Sequence, residues 1–105
     1  MSMLKEKETQ LKERLGEAIS IIPGKSESWL MLAIEGGIPM YFRGDDSQPT
    51  AFIEVKIYGN ASSDVYGKMT KELTGICGDV LGVAPDHMYI SYFGSDDWGW
   101  NGSNF

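Results

Sequence analysis

The feature that most limits the fold is a strand–helix–strand pattern in the second half of the chain. Ala51-Phe52-Ile53-Glu54-Val55-Lys56-Ile57-Tyr58 places Ile53, Val55 and Ile57 on one face and Phe52, Glu54, Lys56 and Tyr58 on the other. Gly59-Asn60-Ala61 turns the chain, and Ser62 or Ser63 can cap a helix with Asp64 in its first turn, where the dipole favours a carboxylate. Tyr66, Met69, Leu73, Ile76, Cys77 and Val80 form the helix's apolar stripe. Gly82 is a good stop, Pro85 follows, and Met88-Tyr89-Ile90-Ser91-Tyr92-Phe93 alternates as a second strand. Two strands joined by a helix of that length pair in parallel through a right-handed crossover.

The first half echoes this unit with its opening strand missing. Leu4, Leu11, Leu15, Ala18, Ile19 and Ile22 predict a helix over residues 3–22, stopped by Pro23-Gly24. Trp29-Leu30-Met31-Leu32-Ala33-Ile34 is a continuous apolar run, expected to be a strand covered on both faces. Residues 38–43 read as a short strand kept at an edge by Pro39, and residues 44–49 as a loop. The expected class is α+β, a single domain over residues 1–105. Two helices cover one sheet face, so the other face is expected to meet further subunits in an oligomer.

A formal net charge of −6 argues against nucleic acid or an anionic membrane as partner. No apolar run approaches the ~20 residues of a membrane helix, and the first residues lack the apolar stretch of a signal peptide. With Cys77 alone, no internal disulfide forms, which favours the cytoplasm; non-classical export stays open. One His and one Cys on different elements give no metal site, and no cofactor is expected. Arg43-Gly44-Asp45, the two Asn-x-Ser triplets and the paired aspartates Asp45-Asp46 and Asp96-Asp97 are too short or too solvated to carry a function.

Polar groups on apolar elements remain. Lys25 sits between the first helix and the first apolar run; Tyr89 and Ser91 share a face of the last strand; Trp100 and Asn101 lie in a tail that ends Trp98-Gly99-Trp100-Asn101-Gly102-Ser103-Asn104-Phe105. A cation, a phenol and a carboxamide walled by aromatics suit a small anionic ligand with an aromatic body. On residue types alone, an ordinary surface or interface accounts for them better. A tail so rich in aromatics is expected to dock rather than fray.

The same residues carry a resemblance. Gly24-Lys25, Pro49, Gly59, Ala84-Pro85-Asp86, Tyr89-Ile90 and the tail from Gly99 to Phe105 resemble the macrophage migration inhibitory factor (MIF) family of the tautomerase superfamily, over nearly the whole chain. The resemblance implies two β–α–β units, helices on one face of each sheet, and a homotrimer whose tails dock on neighbouring subunits. It implies keto–enol tautomerisation of phenylpyruvate-type aromatic keto acids, with an N-terminal proline of lowered pKa as general base. By position, Lys25 matches the lysine that binds the substrate carboxylate, and Tyr89 matches a pocket tyrosine reached from the adjacent subunit. Ser91 stands where animal members have an asparagine, and Tyr58 replaces an isoleucine whose backbone contributes to the site. Trp98, Trp100 and Asn101 fall at the pocket edge.

The sequence departs from that pattern at its start. No proline precedes Pro23, whose nitrogen is an amide, and the family's opening strand is absent. No catalytic residue is therefore identifiable, and the chain as it stands is expected to be an impaired tautomerase or an inactive one. A non-catalytic, cytokine-like binding module and a subunit of a hetero-oligomer are the alternatives. The resemblance puts the opening strand between the run of residues 29–34 and the strand Ala51–Tyr58. Three outcomes are expected there: the strands close together, another chain fills the gap, or the assembly changes.

Overall fold

The structure is a computed structural model that describes residues 5–105. Helix α1 spans Lys5–Ala18 and continues as a 3₁₀ turn over Ile19–Ile21. Strand β1 (Ala51–Tyr58), helix α2 (Ser63–Leu81) and strand β2 (Met88–Ser95) form the expected unit, and β1 pairs with β2 in parallel, Phe52 opposite Tyr89 and Tyr58 opposite Ser95. Two short strands, β3 (Gly99–Trp100) and β4 (Ser103–Asn104), make an antiparallel hairpin in the tail.

The core lies between the helices and one face of this sheet. Leu11, Ala18, Ile19 and Ile22 meet Ile57, Met69, Leu73, Ile76 and Val80, with Ile53, Val55, Ile90 and Tyr92 packed against them. The expected stripe of α2 is this face. Its ends also follow the local chemistry: the Ser62 hydroxyl accepts from the Val65 N–H at 3.2 Å, and Gly82 closes the helix at φ 70. Arg14 pairs with Asp79 at 3.1 Å across the two helices. On the other sheet face Phe52, Tyr58, Tyr89 and Phe93 are exposed, an aromatic surface that the helices leave bare.

Several expectations need correction, and one falls outside the described residues. Leu4 and Met3, at the start of the first expected helix, lie outside them. That helix loses α geometry at Ala18 because the Ser20 hydroxyl turns back to the Glu17 carbonyl at 2.8 Å and Pro23 drives Ile22 into extended conformation. The run of residues 29–34 is not a strand. Glu27–Trp29 is a 3₁₀ turn, and residues 30–36 carry no ladder partner. Nor is the run covered on both faces: Leu30 and Ile34 pack on the core, while Trp29 and Met31 are 74% and 93% exposed. Apolar character supplied the inward face, but a strand also needs a neighbour's N–H and C=O groups. For the same reason the run has not closed against β1, the first of the three outcomes expected at the gap.

Residues 38–43 do not form an edge strand either. Phe42 and Asp45 exchange two backbone hydrogen bonds, 2.9 and 3.0 Å, across Arg43 (φ 55) and Gly44 (φ 76), a tight turn with both central residues left-handed. Asp45 then accepts from the Ser47 N–H and hydroxyl at 3.0 and 2.7 Å, and these bonds hold its carboxyl below the usual range. The Arg43-Gly44-Asp45 tripeptide is thus the body of a turn.

Candidate functional site

The C-terminal end of β1 gathers more of the expected site residues than any other place. The Lys25 ammonium donates to the Tyr58 carbonyl at 2.8 Å and sits 5.6 Å from the centre of the Tyr58 ring. Lys25 reaches that carbonyl because Ile22, the last core residue of the first helical segment, is buried, and Gly24 at φ 81 turns the chain toward the strand end. The Tyr58 ring lies 5.0 Å from Phe105, and the Trp98 indole N–H donates to the Ile57 carbonyl at 3.2 Å. The Phe105 N–H in turn bonds the Trp98 carbonyl at 3.1 Å. A half-buried cation is therefore fixed at a strand end with aromatic rings beside it. Only one of its three N–H donors is used by Tyr58, so a carboxylate can take others.

The tail does not fray: it folds onto its own chain. Trp100 stands edge-on to Trp29, with ring centres 5.4 Å apart. Asn101 (φ 53) and Gly102 (φ 90) are the two turn residues between β3 and β4. Asn101 is thus fixed by the geometry of a two-residue hairpin, a signal present in the sequence as Asn-Gly between short extended stretches.

Tyr89 and Ser91 lie elsewhere. They face the bare side of β2, level with Phe52 and Glu54. That puts them six and four positions from the Tyr58 level, about 20 and 13 Å away at the usual strand rise. Tyr89 meets Phe42 at 5.7 Å between ring centres, and Phe42 also meets His87 at 5.4 Å. The Ser91 hydroxyl is covered and has no hydrogen-bond partner among the described residues.

Two features that residue reading missed belong to this opposite end or to the helix surface. His87 Nδ1 and Asp86 approach to 2.8 Å, which holds the Asp86 carboxyl below its usual range. An open groove of about 260 Å³ runs along α1 between Lys5, Glu8, Thr9, Lys12, Leu32 and Ile34. Lys5 is bound to Glu8 at 2.6 Å there, and none of the expected site residues lines it. No group of three or more His, Cys, Asp or Glu side chains is placed to hold a metal among the described residues.

A parallel β–α–β sheet with both helices on one face, and a lysine and aromatic tail meeting at the end of its first strand, define a protein of the tautomerase fold. MIF from Rattus norvegicus is 28% identical over 99 residues, covering 92% of this chain and 82% of that protein. The crystal structure of Leishmania major MIF2 superposes with a TM-score of 0.90 at 26% identity, over 100% of this chain and 90% of that one. A fused 4-OT asymmetric trimer shares the fold alone, with a TM-score of 0.81 at 12% identity over 99% and 89% of the two chains. The profile described as macrophage migration inhibitory factor (MIF) matches residues 5–105, and the chain belongs to that family. Proteins of this fold are usually oligomers.

Proposed function

We propose that the Lys25 end of β1 binds the carboxylate of a small aromatic 2-oxo acid, and that the chain is the binding half of a phenylpyruvate-type keto–enol tautomerase. The observation that carries this reading is the Lys25 ammonium held at the Tyr58 carbonyl beside the Tyr58 and Phe105 rings. An ammonium with free donors orients a carboxylate, and aromatic walls take the body of the acid. Trp100 and Asn101 close the edge of the pocket. Tyr89 and Ser91, on the bare sheet face, serve the site of an adjacent subunit in a homotrimer.

Enolisation needs a base beside the carbon next to the keto group. Among the described residues, the Lys25 ammonium meets the Tyr58 carbonyl and ring, and the Asp86–His87 pair sits at the far end of the sheet. Residues 5–105 therefore bind and orient without turning substrate over at a useful rate. The proposed setting is the cytoplasm; no helix among the described residues is long and apolar enough to cross a membrane.

The test is to extend the chain with an apolar strand led by Met-Pro and to follow phenylpyruvate enolisation. Activity is expected only when the leading residue, after methionine removal, is proline. An alanine-led extension that is equally active overturns the assignment of the leading proline as the base. Inactivity of both, with phenylpyruvate still bound, favours a non-catalytic binding module.

A further inference from the structure

We propose that Asn101-Gly102 is a self-modification site, at which the tail hairpin converts to an isoaspartyl chain and releases its hold on the rest of the fold. The inference rests on the turn and stands whatever the Lys25 site binds. The reaction needs a primary carboxamide and, on the next residue, a backbone N–H that no side chain crowds. Asn101 and Gly102 supply both at one exposed turn. A Cβ at position 102 would meet nothing within 4 Å, so the space beside Gly102 is open. In a two-residue hairpin the ladder bonds run between Trp100 and Ser103, which leaves the Gly102 N–H unpaired. Asn60 is placed differently. Its carboxamide oxygen accepts from the Ala61 N–H at 3.1 Å and from the Tyr66 hydroxyl at 3.2 Å, and the next residue carries a Cβ.

Hydroxide removes the Gly102 N–H proton, and the nitrogen attacks Asn101 Cγ. The N–Cγ bond forms, the Cγ–Nδ2 bond breaks, and ammonia leaves with a proton taken from water. A five-membered cyclic imide remains. Water then opens it at either carbonyl: one opening gives aspartate, the other isoaspartate, whose main chain runs through Cβ and Cγ. The sum is one water consumed and one ammonia released, with no change of oxidation state.

The hairpin sets the timing. Ring closure requires the Gly102 nitrogen to swing about the Asn101 Cα–C bond toward Cγ. With Asn101 at φ 53 and Gly102 at φ 90, the turn holds that nitrogen away from the Asn101 side chain. The pairing of Gly99 with Asn104 and of Trp100 with Ser103 must therefore open first. Each strand has only two residues, all of them exposed, so the opening is local.

The product cannot close the hairpin again. Isoaspartate inserts one carbon into the main chain of a two-residue turn, which destroys the register on which the pairing depends. It also adds a carboxylate to a chain of formal net charge −6. Trp100 then leaves Trp29, and Phe105 leaves Tyr58. The tail thus carries a one-way release whose rate follows hairpin opening.

The test incubates the full chain at neutral pH and physiological temperature and follows each asparagine by mass spectrometry of chymotryptic fragments. Deamidation is expected at least about tenfold faster at Asn101 than at Asn60 or Asn104, with isoaspartate the major product. A double variant, Gly99→Cys with Asn104→Cys, tests the gate. A Cβ at Gly99 would stand 3.1 Å from Asn104 Oδ1, so the two thiols face each other across the hairpin, while Cys77 is buried. Oxidising that pair is expected to slow the reaction at Asn101 at least about fivefold relative to the reduced variant, because the disulfide blocks opening. In the isoaspartyl form, separated by anion exchange, amide hydrogen exchange at Phe105, whose N–H bonds Trp98, is expected to quicken at least about tenfold. Asn101→Asp, which has the charge without the extra carbon, should keep the wild-type exchange rate there. Equal rates at Asn101 and Asn60, equal rates in the oxidised and reduced variant, unchanged Phe105 exchange in the isoaspartyl form, or the same quickening in Asn101→Asp overturns the proposal.

Discussion

Substitution of Lys25 separates anchoring from recognition. Its ammonium holds the Tyr58 carbonyl at 2.8 Å with one donor, while the proposed carboxylate uses the others. A half-exposed charge-assisted bond of this kind contributes about 1 kcal/mol or less to the fold. Lys25→Ala should therefore lower Tm by at most about 4–8 °C for a chain of this size. Loss of the hydrogen bonds to a carboxylate costs about 1.5–3 kcal/mol, or roughly 10–150-fold in phenylpyruvate affinity. Lys25→Gln keeps a donor for the carbonyl but no charge, so it should hold Tm near the wild-type value and still lose most of the affinity. Lys25→Arg should recover part of it, because the guanidinium keeps the charge in a different shape. Calorimetric titration with phenylpyruvate at 25 °C, alongside thermal melts, reads both quantities. Wild-type affinity in Lys25→Gln, or an affinity loss no larger than the fraction of unfolded protein explains, refutes the assignment.

Ile76 is fully buried, and Ile76→Ala should cost about 2–5 kcal/mol in urea unfolding, enough to leave the chain marginal. Burial pushes the Cys77 thiol up. The neutral thiol is favoured in the folded state, so its contribution is whole below the ordinary thiol pKa and is lost as pH rises through the folded value. Thiol-reagent labelling of Cys77 should accordingly track global unfolding at neutral pH, and stability should fall on the alkaline side in the wild type but less in Cys77→Ala relative to its own neutral value. Arg43 holds φ 55 without being glycine, and Arg43→Gly should raise stability by up to about 1 kcal/mol in the same urea assay.

The parts legible in the sequence are those governed by neighbours along the chain. Ser62, Gly82 and the stripe from Met69 to Val80 act within one helix, and all fall as read. The alternation of β1 and β2 likewise exposes which face meets the helices. Residues 29–34 show the limit. Their apolar character correctly places Leu30 and Ile34 on the core, but ladder formation depends on groups supplied by another segment, and composition contains no record of whether that segment is there. Asn101-Gly102 is legible as a two-residue hairpin turn, because its left-handed backbone needs depend on those two residues alone. At the candidate site, Lys25 was legible through the family resemblance. That it grips a main-chain carbonyl rather than the Tyr58 hydroxyl is a tertiary fact.

That grip has an evolutionary consequence. Every amino acid brings the same carbonyl, so position 58 can exchange its side chain without loosening the lysine. The ring of Tyr58 can narrow the entrance in one lineage and a smaller side chain can widen it in another, while the charge stays at one point. Ligand choice at the proposed site is thereby free to drift independently of its anchor.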